Sequence, residues 1–262
     1  MNAGYVLIVF IAAAVAMTFA WFVQLRTRNA GIVDAVWTLG VGAGALFYAW
    51  VGSGHLVPRL AVAMLGGIWA SRLSLHIFAR VLSEPEDGRY QYLRAHWHDN
   101  QAKFFGLFVG QAILIALFSL PFYAVAQNTR DSLSVWCATG VAIWIVSIAG
   151  ESIADAQLAA FRKDPRNRSK TCDVGLWRYS RHPNYFFEWL LWFTYVFLSV
   201  GTPWNVWLLS WIGPVLMFAS LMWVSGVPFA EAQALRSRGD DYRAYQRRTS
   251  VFFPWFPKKG DA

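Results

Sequence analysis

Seven stretches of about twenty mostly apolar residues punctuate the chain, near 4–25, 31–51, 59–81, 104–127, 132–151, 184–200 and 204–229. A helix rising about 1.5 Å per residue needs roughly that length to cross a hydrocarbon core of about 30 Å. Within lipid, a spanning segment must satisfy its own backbone hydrogen bonds, so runs of this kind are expected to be helices. The fold class expected is therefore all-α, a polytopic membrane protein with seven transmembrane helices. Composition agrees, with 56% hydrophobic and 15% charged residues, where a soluble domain carries about a quarter charged. The first run, "YVLIVFIAAAVAMTFAWFVQL", has no basic segment before it and no convincing cleavage site after it, so a mature helix is expected rather than a signal peptide.

The cations fix an expected orientation. Of the 23 Lys and Arg residues, all but Arg59, Arg72 and Arg130 fall in alternate connections or after the last run. Cytoplasmic loops carry such an excess, so the N-terminus is expected outside and the C-terminus in the cytoplasm. The formal net charge of +8 then reflects topology with room for an anionic ligand. The lipid bilayer is the expected partner surface and nucleic acid is not. No linker or repeat interrupts the chain, so 1–262 reads as a single domain. Its polar mass lies in 151–183 and 231–262, and the first of these is long enough to suggest a functional loop. Cys137 and Cys172 fit no disulfide or metal spacing, and "HWH" at 96–98 has no accompanying Cys or Glu, so no metal site is expected.

Polar residues inside or beside apolar runs are the candidates for chemistry, because burying them is costly without a partner. In "RYSRHPNYFFEWLLW", 178–192, Pro183 suits the first turn of a helix. Asn184 and Glu188 then share one face, four residues apart. Glu188 either neutralises Arg162, Arg178 or Arg181 at the interface or serves a ligand, and the residues alone leave both open. Upstream, "GESIADAQLAAFRKDPRNRSK" carries Glu151, Asp155, Gln157, Arg162, Lys163, Arg166, Arg168 and Lys170. Positive-inside bias explains many of these cations, while a phosphate-rich cofactor would use some of them. The tail "RSRGDDYRAYQRRTSVFFPWFP" holds Tyr242, Tyr245 and Arg248 before a Pro-closed aromatic end. It reads equally as a lid over a cavity or as an interfacial segment anchored by Trp255.

In the N-terminal half, Asp34 lies in the second run and Arg72 and His76 in the third. Asp34 and Arg72 form a structural ion pair in one reading. In the other, Asp34 is a carboxyl whose pKa burial raises, as a proton donor to a carbonyl oxygen requires. "SEPEDGRYQYLR", 83–94, carries Glu86, Asp87, Arg89 and Tyr90, and a surface charge cluster is the default expectation there. "GVGAGA", 40–45, meets a loose dinucleotide-binding pattern but sits inside an apolar run with no strand before it, so helix packing by small residues is the better reading.

Taken in order, "VDAVWTLG", "SRL", "EDGRYQYLR", "GLWRYSRHPNYFFE" and "Y…Y…RTSVFFPWFP" resemble the steroid 5-alpha-reductase family, particularly its bacterial membrane members, over essentially the whole chain. That resemblance implies a seven-helix reductase in a bacterial inner membrane. It implies NADPH as cofactor and reduction of the double bond of a 3-oxo-delta-4 steroid or a similar lipophilic enone. It carries Asp155, Arg162, Lys170, Arg178, Tyr179, His182, Asn184, Tyr185, Glu188, Tyr245 and Arg248 onto the cofactor contacts. For the chemistry it points to Asp34, Arg72 and Tyr90. The family polarises the 3-ketone with a glutamate on span 2 and a tyrosine on span 3; Asp34 falls near the first position, and span 3 has Trp69 where the tyrosine would fall.

The sequence "RHPNY" followed by Glu, with the terminal aromatic motif, also resembles the isoprenylcysteine and phospholipid methyltransferases, which use S-adenosylmethionine. The N-terminal motifs favour the reductase. A lipid-binding or scaffold protein is a third class, against which the intramembrane polar groups argue. A lipophilic, steroid-like small molecule is the expected partner, and a monomer is the working expectation for assembly.

Overall fold

The computed structural model describes residues 2–130 and 134–258, and among these the chain is helical with no sheet. The long helices are α1 (Ala3–Thr27), α2 (Ile32–Val51), α3 (Leu56–Ser83), α5 (Gln101–Ala126) and α6 (Val135–Lys163), with the short α4 (Gly88–His96) between α3 and α5. Then come α7 (Pro183–Leu191), α8 (Phe193–Leu198), α9 (Trp204–Ser210), α10 (Ile212–Ala219), α11 (Val227–Arg238) and α12 (Asp240–Arg248).

Six helical stretches among the described residues are long and apolar enough to cross a membrane: α1, α2, α3, α5, α6 and the stretch Trp204–Arg238. They correspond to six of the seven apolar runs. The start of the fifth run, at 132–133, lies outside the described residues. The remaining run, 184–200, folds as α7 and α8, nine and six residues long, joined at Trp192. Trp192 donates its N–H to the Trp189 carbonyl at 3.2 Å, a tightened turn that shifts the hydrogen-bond register. The stretch from Trp204 is helical but interrupted by a π-turn at Ser220–Val224, where Ser225 N–H reaches the Ser220 carbonyl at 2.8 Å.

Two compact units result, Met1–Cys137 with Tyr195–Gly213, and Ala138–Thr194 with Pro214–Ala262. In the first unit α2 packs against α1, α3 and α5, and α1 also packs on α5. Small residues allow the closest approaches: Gly42 faces Ala70, Gly44 faces Ser119, and a Cβ on Gly66 would come within 2.7 Å of Ala45. The "GVGAGA" stretch is thus part of a helix interface, as its position inside an apolar run led us to expect. Side-chain caps set the helix starts. Asn100 accepts from the Ala102 and Lys103 N–H groups at 3.0 and 3.2 Å, and Asp87 accepts from Arg89 N–H at 2.9 Å, each satisfying an otherwise orphaned donor.

In the second unit, α11 and α12 form a corner with Ala234, Tyr242 and Tyr245 at its centre. Pro183 opens α7 as its first residue, where its missing N–H costs nothing.

Candidate functional site

Two polar clusters stand out, one in each unit. In the first unit, Asp34 lies in the first turn of α2. Arg89 Nη2 donates to one carboxylate oxygen at 2.6 Å, and the Tyr90 hydroxyl donates to the other at 2.8 Å. Arg89 also reaches the Tyr90 oxygen at 2.9 Å, closing a three-membered network. Tyr90 is 3% exposed, while the Arg89 and Asp34 side chains are 23% and 36% exposed. Burial, and after it the Asp34 charge, raises the Tyr90 phenol well above its ordinary pKa, so the hydroxyl keeps its proton at any neutral pH.

Two expectations change here. The cation on Asp34 is Arg89, from α4, rather than Arg72. The stretch 83–94 is also more than a surface charge cluster, since Tyr90 is buried and Arg89 turns inward. A second network holds α4 in place. Glu86 and Arg94, 10% and 16% exposed, are joined by bonds of 2.7 and 3.0 Å. Glu86 also accepts the Ala30 N–H at 2.8 Å, tying the α3–α4 connection to the residues just before α2. Arg94 and Arg28 both reach Asp99, at 2.5 and 2.6 Å. Burial would raise the Asp99 carboxyl, but these two guanidinium groups win and lower it. Arg72 is half-buried and His76 exposed on α3.

In the second unit the loop 164–182 folds back against α6. Leu176 N–H donates to Gln157 Oε1 at 2.8 Å, and the Trp177 indole donates to the Ala154 carbonyl at 2.8 Å. Tyr245 is buried and its hydroxyl donates to the Trp177 carbonyl, with the Ser180 carbonyl at 3.2 Å. Burial pushes this phenol strongly up. Asn184 donates to Asp155 at 3.2 Å. His182, 5% exposed, stacks on Tyr185 with ring centroids 5.2 Å apart and planes within 5°. Glu188 is half-buried one turn below Asn184, and Tyr179 is exposed.

Sequence reasoning passed over Glu231 on α11. Its carboxylate lies 2.7 Å from Arg181 Nε and 3.4 Å from His182 Nε2, and Gln246 donates to it at 2.8 Å. A signal was present, because Glu231 is the sole acid in the helical stretch that begins at Trp204, and an acid at the end of such a stretch calls for a partner.

The cations of this unit differ in exposure and in their recorded partners. Arg166 is held by Asp164 at 2.7 Å and Arg248 by Asp173. Arg162, Lys170 and Arg178 are exposed. With the stacked His182–Tyr185 pair and the Asn184 amide, these side chains are of the types that a phosphate-bearing ligand with a flat ring calls for.

Helices and clusters together define an integral, multi-pass, all-helical membrane protein. The chain belongs to the family described as "Protein of unknown function (DUF1295)", whose model matches residues 20–249. It is also similar to "Uncharacterized protein C594.04c" of Schizosaccharomyces pombe (strain 972 / ATCC 24843), 23% identical over 266 residues that cover 89% of this chain and 75% of that protein. No solved structure matches.

Proposed function

We propose that the protein is an NADPH-dependent reductase of the steroid 5-alpha-reductase kind. It would reduce the carbon–carbon double bond of a 3-oxo-delta-4 steroid or a similar lipophilic enone within the membrane. The observation that carries this reading is the bond from the buried Tyr90 hydroxyl to Asp34. The phenol keeps its single proton at neutral pH and donates it in a hydrogen bond to Asp34 in the resting site. Turned from that carboxylate to a bound ketone, with Arg89 still neutralising Asp34, it would donate to the carbonyl oxygen that gains negative charge as the double bond is reduced. Tyr90 would so perform the task for which the related enzymes use a tyrosine on span 3, and Asp34 that of their glutamate.

NADPH suits these side-chain types of the second unit. Arg162, Lys170 and Arg178 would take its phosphates, Asn184 and Glu188 its carboxamide and hydroxyls, and the His182–Tyr185 stack would pack against a ring. Tyr245, bonded to the Trp177 and Ser180 carbonyls, would shape this segment, and Arg248 would reach a phosphate only by leaving Asp173. The bound cofactor would supply a hydride to the beta carbon of the enone. In this reading the chain crosses the membrane seven times, α7 and α8 together making the sixth crossing, with the N-terminus outside and the basic loops in the cytoplasm.

The experiment is thermal denaturation of purified protein titrated with NADPH and, separately, with S-adenosylmethionine, since a ligand that binds only the folded state raises the melting temperature. NADPH is expected to raise it. A rise with S-adenosylmethionine instead would replace this reading by a membrane methyltransferase. A rise with neither would remove the cofactor assignment.

A further inference from the structure

The C-terminal stretch Ser250–Lys258 is pinned to the second unit by its backbone. Arg181 N–H donates to the Ser250 carbonyl at 2.8 Å and Trp255 N–H to the Tyr179 carbonyl at 2.9 Å. The Ser180 hydroxyl donates to the Phe252 carbonyl at 2.8 Å, and Lys258 N–H donates to the Arg248 carbonyl at 2.9 Å. Phe252 turns inward, 1% exposed, whereas Phe253, Trp255 and Phe256 are 51%, 72% and 77% exposed.

Those outward aromatics continue a surface that belongs to the membrane-crossing part. Phe253 packs 5.5 Å from Trp189 and 6.2 Å from Phe218, and Phe218 lies 5.6 Å from Trp223, which is 68% exposed. Arg247 and Lys258, both exposed, flank the 253–256 aromatics along the chain. Contiguous exposed aromatic surface marks a binding face, and aromatic rings beside cations are the side-chain chemistry of the lipid headgroup level.

We propose that Trp223, Phe253, Trp255 and Phe256 form an interfacial anchor seated in the headgroup layer of an anionic phospholipid leaflet. Because Trp255 and Ser250 bond the backbone of Tyr179 and Arg181, the anchor also sets the height of the 179–181 segment relative to the membrane. A lid has its aromatics turned inward over a ligand, opposite to the exposure of Trp255 and Phe256. The proposal does not depend on the reductase reading.

The test is membrane depth. A nitroxide on Phe256→Cys, in protein with Cys137→Ser and Cys172→Ala, is placed in nanodiscs of phosphatidylcholine with or without phosphatidylglycerol. Collision with oxygen and with a water-soluble nickel chelate is measured against the same label on Arg243→Cys. At 256 oxygen is expected to exceed nickel, with the reverse at 243, and Lys258→Glu is expected to shift the 256 label toward water only where phosphatidylglycerol is present. Nickel access at 256 equal to that at 243 would overturn the anchor. So would shielding from both agents, which means a covering segment or a second copy, and so would a depth indifferent to Lys258→Glu. If the cysteine replacements prevent folding, quenching by lipids brominated near the headgroup decides: the parent must lose a larger fraction of tryptophan emission than Trp255→Phe, and equal fractions overturn the proposal.

Discussion

Tyr90 and Asp34, 56 positions apart in the chain, share a 2.8 Å hydrogen bond in which the phenol donates. The carboxylate's other oxygen is occupied by Arg89, so Asp34 is a support for the phenol before it is a proton source. In the proposed reductase, Tyr90→Phe is therefore expected to lower steroid-dependent NADPH oxidation by roughly two orders of magnitude. Its stability cost should be only about 1 kcal/mol, since Arg89 still neutralises Asp34. Turnover within a few-fold of the parent would remove Tyr90 from the chemistry.

Asp34 variants separate support from acid. If Asp34 orients Tyr90, Asp34→Asn keeps an acceptor for the phenol and retains more activity than Asp34→Ala. Both leave Arg89 without its anion, at a cost of roughly 1 to 2 kcal/mol because the pair is partly exposed. Rates and melting temperatures for the two variants check this. Asp34→Asn falling as far as Asp34→Ala would return the proton-donor role to Asp34 itself.

The lengths of α1, α2, α3 and α5 were legible because an apolar run states its own length, whereas α6 continues twelve residues past its run, to Lys163. Tyr90 was harder. It belongs to a nine-residue helix whose composition reads as surface, and its partner is distant in the chain, so no local period reveals that it points inward. The same holds for Arg89, where Arg72 was the nearer candidate by position in the helices. The break at Trp192 has no Pro or Gly to announce it and arises from packing, which residue order does not display. The π-turn at 220–224 does have such a mark, since Gly226 and Pro228 follow it. The His182–Asn184 segment was legible because Pro183 fixes the register of the helix it opens.

The Glu86–Arg94 pair should be the stability-critical contact of the first unit. Arg94→Met leaves a nearly buried carboxylate unpaired, at a cost of about 3 kcal/mol or more. The double variant Glu86→Leu with Arg94→Met removes both charges and should recover part of that loss. Thermal unfolding of the two checks it, and equal melting temperatures would show that the charge left behind is not what destabilises the single variant.

Asp99 predicts an acid limit. Its carboxyl is lowered in the folded protein by Arg94 and Arg28, which outweigh burial, so its contribution is present above the unfolded value, about 3.9. That contribution is lost as pH falls through the folded value. Stability should therefore decline below about pH 4, and Asp99→Asn should be less stable at neutral pH while showing a shallower acid decline. An unchanged acid limb in Asp99→Asn would assign it to other carboxylates.

The number of crossings turns on α7 and α8. From Pro183 to Leu198 the two helices would rise roughly 24 Å at about 1.5 Å per residue, short of a core of about 30 Å. Seven crossings then require the bilayer to thin locally or flanking residues to complete the span, each at modest cost. Six crossings would leave both ends of the chain on one side. Cysteines at Asn2 and Lys258 separate these outcomes, in protein whose Cys137 and buried Cys172 are replaced. In intact cells an impermeant maleimide is expected to label Asn2→Cys and spare Lys258→Cys until the membrane is opened. Labelling of both, or of neither, means an even number of crossings and would move α7 and α8 out of the spanning set. Labelling of Lys258→Cys alone would keep seven crossings but invert them, putting the basic loops, and with them the proposed NADPH site, on the outer face.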